Sequence, residues 1–349
     1  MSTTSLGSLL RSVRAGAAPV SKTLLFRSGA LGALRAVRPD HQLPILRYHA
    51  ICGPEGDDYA EASICVTPAA FAQHVEYLTS KYTVVALPEA VRRMQTGKPL
   101  PRNAVALTFD DGYADNLAAA RVLHEHGATA TFYITAGCLF GEMPFWPAEI
   151  RQLIARIGAP AIHLTATGRD ISIPCGTRAA RQAAARTLAR LFKSHPIPVR
   201  EALREQLREQ AGRPVAASPM LTWDQLREMH RLGMTIGAHT VTHPNLPSAG
   251  LADATAEIVG SKARLEREIG AEVTMFSYPN GGAERYYTPD LQRVVRDAGY
   301  TAATTSFNGF AGPASDPYAL ERVQVAERLD DLVFALEVER YLFKPVARK

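Results

Sequence analysis

The chain of 349 residues lacks internal repeats, low-complexity tracts and any apolar run long enough to cross a bilayer. The pattern G-x-S-x-G, which marks the nucleophile turn of many serine hydrolases, is also missing. These absences argue against fibrous proteins, membrane-spanning proteins and enzymes that work through an acyl-serine. Cysteine is scarce, and the four cysteines have no metal-type spacing, so we expect free thiols in a reducing compartment: Cys52, Cys65, Cys138 and Cys175.

Acidic residues are missing before Asp40, whereas the same N-terminal segment, residues 1–40, carries six basic residues. The net charge of the whole chain is +5, so the remainder is close to neutral and has no basic stripe of the kind that binds nucleic acid. The segment also lacks the continuous apolar run of a secretory signal, because its longest run ends at Arg27. We therefore predict a cytoplasmic protein without a nucleic-acid partner.

The basic N-terminal segment contains leucines at roughly helical spacing: Leu24, Leu25, Leu31 and Leu34. A basic amphipathic helix can lie on an anionic lipid surface. One prediction is therefore peripheral contact with the inner face of the cytoplasmic membrane. The alternatives are a helix packed on the protein's own surface and a frayed tail.

Apolar runs alternate with helix signals through the rest of the chain, residues 41–349. One helix start is marked by Thr67 followed by Pro68, and another by the capping box of Thr222 and Gln225. The alternation predicts an α/β fold with a parallel sheet or barrel. The predicted strands lie at 43–48, 83–87, 104–109, 129–134, 234–238, 273–278, 300–305 and 322–325.

The alternation stops between about residues 141 and 219. A short apolar hairpin is predicted at 161–173, followed by two arginine-rich helices at 177–193 and 198–211. We interpret the segment as a mostly helical insertion whose alternating Arg and Glu side chains are solvated. A lid over the functional site is the alternative interpretation.

Two adjacent carboxylates, Asp110 and Asp111, follow the predicted strand 104–109 in the segment LTFDDGY. In parallel β/α folds the carboxyl ends of the strands form the active face. Two neighbouring carboxylates repel each other, but if one binds a cation the other can remain an ionised base. Taken alone, the segment DDG is better explained as a polar strand-to-helix turn.

Two histidines four residues apart, His239 and His243, follow the predicted strand 234–238 in the segment TIGAHTVTHPNL. Two imidazoles and one carboxylate leave open positions for water and substrate, as a catalytic metal requires. A third polar segment, FSYPNGG at 276–282, carries a turn signal whose Asn or Gly amides can face an oxyanion. Each segment alone is also compatible with ordinary surface or turn positions.

Together, TFDDG and HTVTH resemble the two most specific motifs of the NodB-homology polysaccharide deacetylases, carbohydrate esterase family 4. The resemblance covers roughly residues 43–325 and implies a distorted (β/α)7 barrel that carries the insertion. It also implies that Asp110 is a general base and that Asp111, His239 and His243 bind a divalent metal, usually Zn²⁺. The implied activity is hydrolysis of N-acetyl or O-acetyl groups on a carbohydrate.

Departures from the family's pattern leave other roles open. Ser277 stands where the family's third motif commonly carries an arginine, and the late catalytic histidine is not evident. Arg322, in the last predicted strand, is predicted to pair with Asp110 and to replace the missing arginine; the alternative is an arginine at the surface or facing the insertion. His49, in the segment RYH, is a candidate general acid.

Three further residues are predicted to contact the substrate. Asn280, which takes the position of the family's tyrosine, is expected to present its backbone N–H to the oxyanion, and Tyr278 belongs to the same segment. Trp146, at the start of the insertion, is expected to stack on a sugar ring, whereas Trp223 is assigned to the core.

Two wider hypotheses remain. The basic tail favours a deacetylase or deformylase that acts on a lipid-linked sugar. A non-catalytic carbohydrate-binding relative would explain the missing arginine and histidine, but not the retention of both complete motifs.

Overall fold

The computed structural model describes residues 19–36, 42–213, 218–281 and 286–338, and these residues form ten strands. In chain order the strands are β1 (Ile45–Tyr48), β2 (Thr83–Val84), β3 (Ala104–Phe109), β4 (Thr131–Ile134), β5 (Ala161–Ala166), β6 (Arg169–Pro174), β7 (Thr235–Ala238), β8 (Met275–Ser277), β9 (Ala302–Asn308) and β10 (Leu320–Gln324). Seven of them are hydrogen-bonded in the parallel order β1-β10-β9-β8-β7-β4-β3, and β3 pairs back with β1. The predicted (β/α)7 barrel is therefore confirmed.

Helices cover the outside of this barrel. In the described part of the chain they are α1 (Pro19–Arg27), α2 (Ala30–Ala36), α3 (Pro68–Lys81), α4 (Leu87–Gln95), α5 (Asn116–Glu125), α6 (Trp146–Arg156), α7 (Arg178–Lys193), α8 (Ile197–Gln210), α9 (Trp223–Arg231), α10 (Leu246–Ala249), α11 (Leu251–Ile269), α12 (Pro289–Asp297) and α13 (Leu329–Glu337). The predicted capping box of Thr222 and Gln225 is present at the start of α9. The predicted strand 83–87 is shorter, because α4 already begins at Leu87 with Pro88 in its first turn.

Side chains that alternate along the strands divide the apolar interior into two layers. In β3, Val105, Leu107 and Phe109 pack in the outer layer beneath the helices. Ala104 and Ala106, from the same strand, belong instead to a core of mostly smaller residues that includes strand residues and α4. This core contains the first residues of β3, β9 and β10, so it lies where the strands begin, and the functional residues follow the opposite ends of the strands.

One large aromatic ring, that of Tyr133 in β4, fits into the barrel because β7 carries a glycine beside it. A Cβ atom added at Gly237 would lie 2.6 Å from Cδ1 of Tyr133 and 3.1 Å from the carbonyl oxygen of Met275. The ring of Tyr133 also lies under the guanidinium of Arg322, whose Cζ is 5.7 Å from the ring centroid. Gly237 therefore provides the space that Tyr133 occupies.

The segment between β4 and β7 packs around an apolar core of its own, which includes Trp146, Leu188 and Leu203. The predicted hairpin 161–173 is present as β5 and β6, which pair antiparallel, and the two predicted helices are α7 and α8. Sequence reasoning missed a further helix, α6, which begins at Trp146 with Pro147 in its first turn.

The described part of the N-terminal segment, residues 19–36, packs on the last described helix. Leu31 is buried against Val333 and Phe334 of α13, and Lys22 forms an ion pair of 2.7 Å with Asp331. Leu24 is 63% exposed. The rest of the predicted basic tail lies outside the described residues. Among the described helices, none combines the length and the apolarity needed to cross a membrane.

Replacement of Gly237 by alanine tests the crowded contact inside the barrel. We expect Gly237→Ala to lower the free energy of unfolding by about 1–3 kcal/mol, because the new methyl group overlaps the ring of Tyr133. Gly158→Ala is the matched control, because a Cβ atom there meets nothing within 4 Å. Both substitutions restrict the unfolded chain alike, so equal stabilities in chemical denaturation would contradict the steric account.

Candidate active site and metal centre

The polar residues singled out in the sequence meet at the carboxyl ends of the barrel strands. Asp110 and Asp111 follow β3, His239 follows β7, and His49 follows β1. Together with His243 they line one cavity of about 410 Å³. Parallel strands place their carboxyl ends on one face of the barrel, so residues far apart in the chain become neighbours there.

Three buried side chains converge in this cavity. Nε2 of His239 lies 3.5 Å from Oδ1 of Asp111, and Nε2 of His243 lies 3.4 Å from the same oxygen. The potential ligand atoms of the three residues all lie within 4.8 Å of one another. Two imidazole nitrogens and one carboxylate oxygen, with a cavity on the open side, make up a group that could hold a metal ion.

The donor atoms of this triad are in the protonation states that a metal needs. Nδ1 of His239 lies 2.7 Å from the carbonyl oxygen of Ser277, so Nδ1 carries the proton and Nε2 keeps its lone pair. Burial lowers the pKa of His243 to about 4, against the attraction of Asp111, so this ring is neutral at neutral pH. Burial would raise the pKa of Asp111, but its contacts with His239 and His243 keep it well below the usual range.

The backbone of the site is held in conformations that non-glycine residues rarely adopt. Asp111 has φ 80°, His243 has φ 55° and Asn280 has φ 74°. After β3 the chain reverses through Asp111 and Gly112, whose φ is 91°. Left-handed conformations of this kind cost about 1–3 kcal/mol each and persist only where neighbouring contacts enforce them.

The loop between the two histidines is held by two charged residues that sequence reasoning missed. Glu257 of α11 accepts hydrogen bonds from the backbone N–H groups of Val241, at 2.8 Å, and Thr242, at 2.7 Å. Arg200 of α8 donates to Oγ1 of Thr242 at 2.9 Å. The only sequence signal for Glu257 is an acidic residue beside the apolar face of a helix, where Ala254, Ile258 and Leu265 are buried.

The predicted partner of Asp110 is in place. The guanidinium of Arg322 donates two parallel hydrogen bonds to the carboxylate of Asp110, each of 2.7 Å. Further donations reach Oγ of Ser277 at 3.1 Å and the carbonyl oxygen of Thr305 at 2.7 Å. Burial would raise the pKa of Asp110, but the charge and hydrogen bonds of Arg322 outweigh it and lower the pKa to about 2. The alternative of a surface arginine is wrong, because Arg322 is fully buried.

His49 and Asn280 both line the cavity. Nε2 of His49 lies 3.8 Å from Oδ2 of Asp110, and burial lowers the pKa of His49 to about 4. The side-chain amide of Asn280 donates to the carbonyl oxygen of Pro244 at 3.1 Å, which ties the turn after β8 to the histidine loop. Asn280 therefore lies at the cavity, as predicted, and its side chain connects the turn after β8 to the histidine loop.

Two predicted substrate contacts need correction. Trp146 borders the cavity but is only 2% exposed; its indole N–H donates to the carbonyl oxygen of His243 at 3.0 Å, and its ring packs against Phe192. The ring therefore supports a candidate ligand instead of offering a face to a sugar. Tyr278 is also 2% exposed, donates to the carbonyl oxygen of Tyr318 and is not among the residues that line the cavity. Tyr278 directly follows β8 and belongs to the apolar core that also contains Leu291 and Val295 of α12, which periodicity alone did not reveal.

The insertion forms one wall of the cavity. Helix α6 contributes Pro147 and Arg151, and α7 contributes Arg186, Ala189 and Lys193. A second wall is the loop after β1, which includes Tyr59, whose hydroxyl donates to Asp115. Cys52 and Cys65 at the two ends of this loop are free thiols whose sulfur atoms lie 3.1 Å apart.

Comparisons with known proteins agree on one family. A family model described as polysaccharide deacetylase matches residues 97–159 and 181–303. YxkH of Bacillus subtilis, whose name also describes a polysaccharide deacetylase, is 22% identical over 300 residues, which cover 85% of this chain and 76% of that protein.

Solved structures show the same fold. The Streptococcus pyogenes deacetylase PplD, determined in complex with acetate, is 20% identical with a TM-score of 0.57, and the match covers 86% of this chain and 100% of PplD. IcaB from Ammonifex degensii is 18% identical with a TM-score of 0.55, over 86% of this chain and 97% of IcaB.

Removal of the Glu257 carboxylate tests whether it holds the histidine loop. We expect Glu257→Ala to lower the free energy of unfolding by about 2–4 kcal/mol, because it leaves the two backbone N–H groups of Val241 and Thr242 without their acceptor. Glu76→Ala, at an exposed position on α3, is the control and should change stability by less than about 0.5 kcal/mol. Equal thermal and chemical stability of the two variants would show that Glu257 does not brace the loop.

Proposed function

Because the chain belongs to the polysaccharide deacetylase family, whose members are hydrolases of carbon–nitrogen bonds other than peptide bonds, we propose that it removes N-acetyl groups from a carbohydrate with a divalent metal ion. The same site chemistry extends to O-acetyl groups. The observation that carries the proposal is the convergence, in one cavity, of the triad Asp111, His239 and His243 with the arginine-held carboxylate of Asp110.

The triad suits Zn²⁺ best among the common divalent metals. Two neutral imidazoles with one carboxylate are a frequent ligand set of catalytic zinc, whereas Mg²⁺ and Ca²⁺ favour oxygen ligands. When bound there, the ion would act as a Lewis acid toward the acyl carbonyl oxygen and increase the acidity of water. Asp111 supplies the anionic ligand, and the hydrogen bond from His239 to Ser277 fixes the orientation of that ring.

Asp110 is the proposed general base. Its carboxylate follows Asp111 directly, lines the same cavity and is ionised at all pH values above its lowered pKa of about 2. A carboxylate with so low a pKa is a weak base. The contribution of Asp110 to catalysis must therefore come more from its position than from its proton affinity. Arg322 is the positioning residue, because two parallel hydrogen bonds fix the plane of the carboxylate.

His49 is the proposed proton donor to the leaving nitrogen. With a pKa of about 4 it is neutral at neutral pH, so it must first take up a proton. Asp110 is the natural source, because its Oδ2 lies 3.8 Å from Nε2 of His49 and it receives the proton of the attacking water in this scheme. The backbone N–H of Asn280 is the proposed donor to the oxyanion.

The substrate is proposed to be an acylated carbohydrate, including a lipid-linked sugar, that is processed in the cytoplasm. Support comes from the basic composition of residues 1–40 and from the exposed Leu24, whereas the apolar side chains that pack on α13 are Leu25, Phe26, Leu31 and Leu34. Those features favour peripheral contact of the N-terminal segment with an anionic membrane surface.

Acetate release tests the proposed activity. We expect the zinc-loaded protein to release acetate from N-acetylated oligosaccharides, and a chelator or His239→Ala to reduce the rate by at least about 100-fold. His230→Ala, at an exposed position on α9, is the control and should retain both metal and activity. Equal zinc content in wild type and His239→Ala would reject the triad. Zinc binding without acetate release from any acetylated glycan would instead favour a non-catalytic carbohydrate-binding protein.

Arg322→Lys separates positioning from charge. Lysine keeps the positive charge but cannot form two parallel hydrogen bonds, so we expect kcat to fall by about 10–100-fold while zinc content is unchanged. Stability should also fall by about 1–3 kcal/mol, because the contacts with Thr305 and Ser277 are buried, so rates are compared well below the unfolding temperature. Arg121→Lys, at an exposed ion pair with Glu228, is the control.

Asp110→Asn provides the reference for the Arg322 experiment. If Arg322 acts through Asp110, the double variant Asp110→Asn with Arg322→Lys should be no slower than Asp110→Asn alone. A normal kcat in zinc-loaded Arg322→Lys, or additive losses in the double variant, would show that Arg322 does not orient this carboxylate.

A further inference from the structure

One face of helix α7 forms a wall of the metal cavity. Ala185, Arg186, Ala189 and Lys193 all line the cavity, and their spacing of three and four residues places them on the same side of the helix. The two alanines leave space above the helix, and the two basic side chains flank it. Arg151 of α6 adds a third cation from the same insertion.

These cations have few partners within the protein. In the described part of the chain, the side chains of Lys193 and Arg186 form neither a hydrogen bond nor an ion pair with another residue. Arg151 is only 17% exposed and has one distant ion pair, 3.9 Å from Glu61. Lys193 is half-buried, and burial lowers its pKa although Asp111 and Glu61 oppose the shift. The ammonium group of Lys193 is therefore open to an anionic ligand that replaces water.

The acidic residues of the cavity do not neutralise this wall. Asp110 is already paired with Arg322, and Asp111 belongs to the triad. Glu61 is the remaining carboxylate among the lining residues. One carboxylate, already in a distant ion pair with Arg151, therefore faces three cations of the insertion, so the wall carries an excess of positive charge opposite the acyl-cleaving groups.

The positive surface continues beyond the cavity. An adjacent cavity of about 340 Å³ shares Arg151 and Ala185 with the first and is also lined by Arg178 and Arg181, together with two carboxylates, Asp57 and Asp58. Arg178 is paired with Asp57 at 3.2 Å, so the excess charge lies mainly at the shared boundary. A ligand that extends from the triad along α7 would pass Lys193 and Arg186 and reach Arg151.

We propose that the insertion binds an anionic group, a phosphate or a carboxylate, that is carried by the acylated sugar, through Lys193, Arg186 and Arg151. The proposal rests on the proposed deacetylase function and names the class of its substrate: an acidic or phosphorylated acyl sugar. The guanidinium groups can form two parallel hydrogen bonds to either anion, and the ammonium group of Lys193 adds a compact positive charge. The insertion thereby selects the substrate, while the barrel carries the chemistry.

Binding of three sugars to the zinc-loaded full chain tests the proposal through affinity, a measurement other than the rate of hydrolysis. The probes are N-acetylglucosamine, its 1-phosphate and its uronic acid, each titrated by calorimetry at low ionic strength. We expect wild type to bind at least one anionic sugar about tenfold or more tightly than the neutral sugar, with the preference reduced by salt. Comparison of the 1-phosphate with the uronic acid identifies which anion the site favours.

A pair of double variants with equal charge loss locates the effect. Lys193→Gln with Arg186→Gln should abolish the preference for the anionic sugar. Arg190→Gln with Arg156→Gln, at exposed positions on α7 and α6 outside the cavity lining, should preserve it. Equal affinity of wild type for all three sugars, no measurable binding of either anionic sugar, or a preference that survives in the cavity variant would overturn the proposal.

Hydrolysis separates this proposal from the proposed function. If wild type releases acetate from neutral oligosaccharides but shows no anion preference, the anion site is wrong and the deacetylase function stands. If wild type prefers anionic sugars but releases no acetate from any probe, the deacetylase function is wrong and the anion site stands.

Discussion

The structure depends on a buried guanidinium inside the barrel, that of Arg322. A fully buried positive charge is tolerable only with a counterion and with acceptors for its remaining N–H groups. Asp110 provides the counterion, and Thr108, Ser277 and Thr305 provide acceptors. These partners come from β3, β8 and β9, so one side chain of β10 connects strands around the ring. The hydrogen bonds that neutralise the charge of Arg322 also fix the carboxylate of Asp110 at the mouth of the barrel. The contacts that connect the strands therefore also orient the proposed base.

Around Arg322 and Asp110, several residues of the site have backbone conformations that would be unfavourable without the contacts of the folded protein. Asp111, His243 and Asn280 all have positive φ values. The histidine loop keeps its conformation because Glu257 accepts from two of its backbone N–H groups and Trp146 donates to the carbonyl oxygen of His243. The elements that supply these braces, α11 and the insertion, lie outside the barrel. The candidate ligands therefore converge because the surrounding layer of the protein holds them together.

The insertion thus has two physical roles in one segment. Its apolar core buries Trp146, which supports the loop of the histidines, and Arg204 of α8 pairs with Glu149 of α6 at 2.6 Å to join its helices. Its helix α7 presents alanine and basic side chains to the cavity. A rigid wall of this kind can discriminate between substrates by charge and shape without any change in the residues that carry out hydrolysis.

The sequence by itself determined the alternation of strands and helices, and it identified Asp110, Asp111, His239 and His243, because strand ends and short motifs are local features. It also suggested Arg322, although its pairing with Asp110 depended on β10 and β3 lying on either side of β1 in a closed ring. Only the tertiary structure decided that Trp146 and Tyr278 are buried, that Glu257 braces the histidine loop, and that α7 faces the cavity. Those outcomes depend on packing between segments distant in the chain, for which the periodicity of any one segment carries no information.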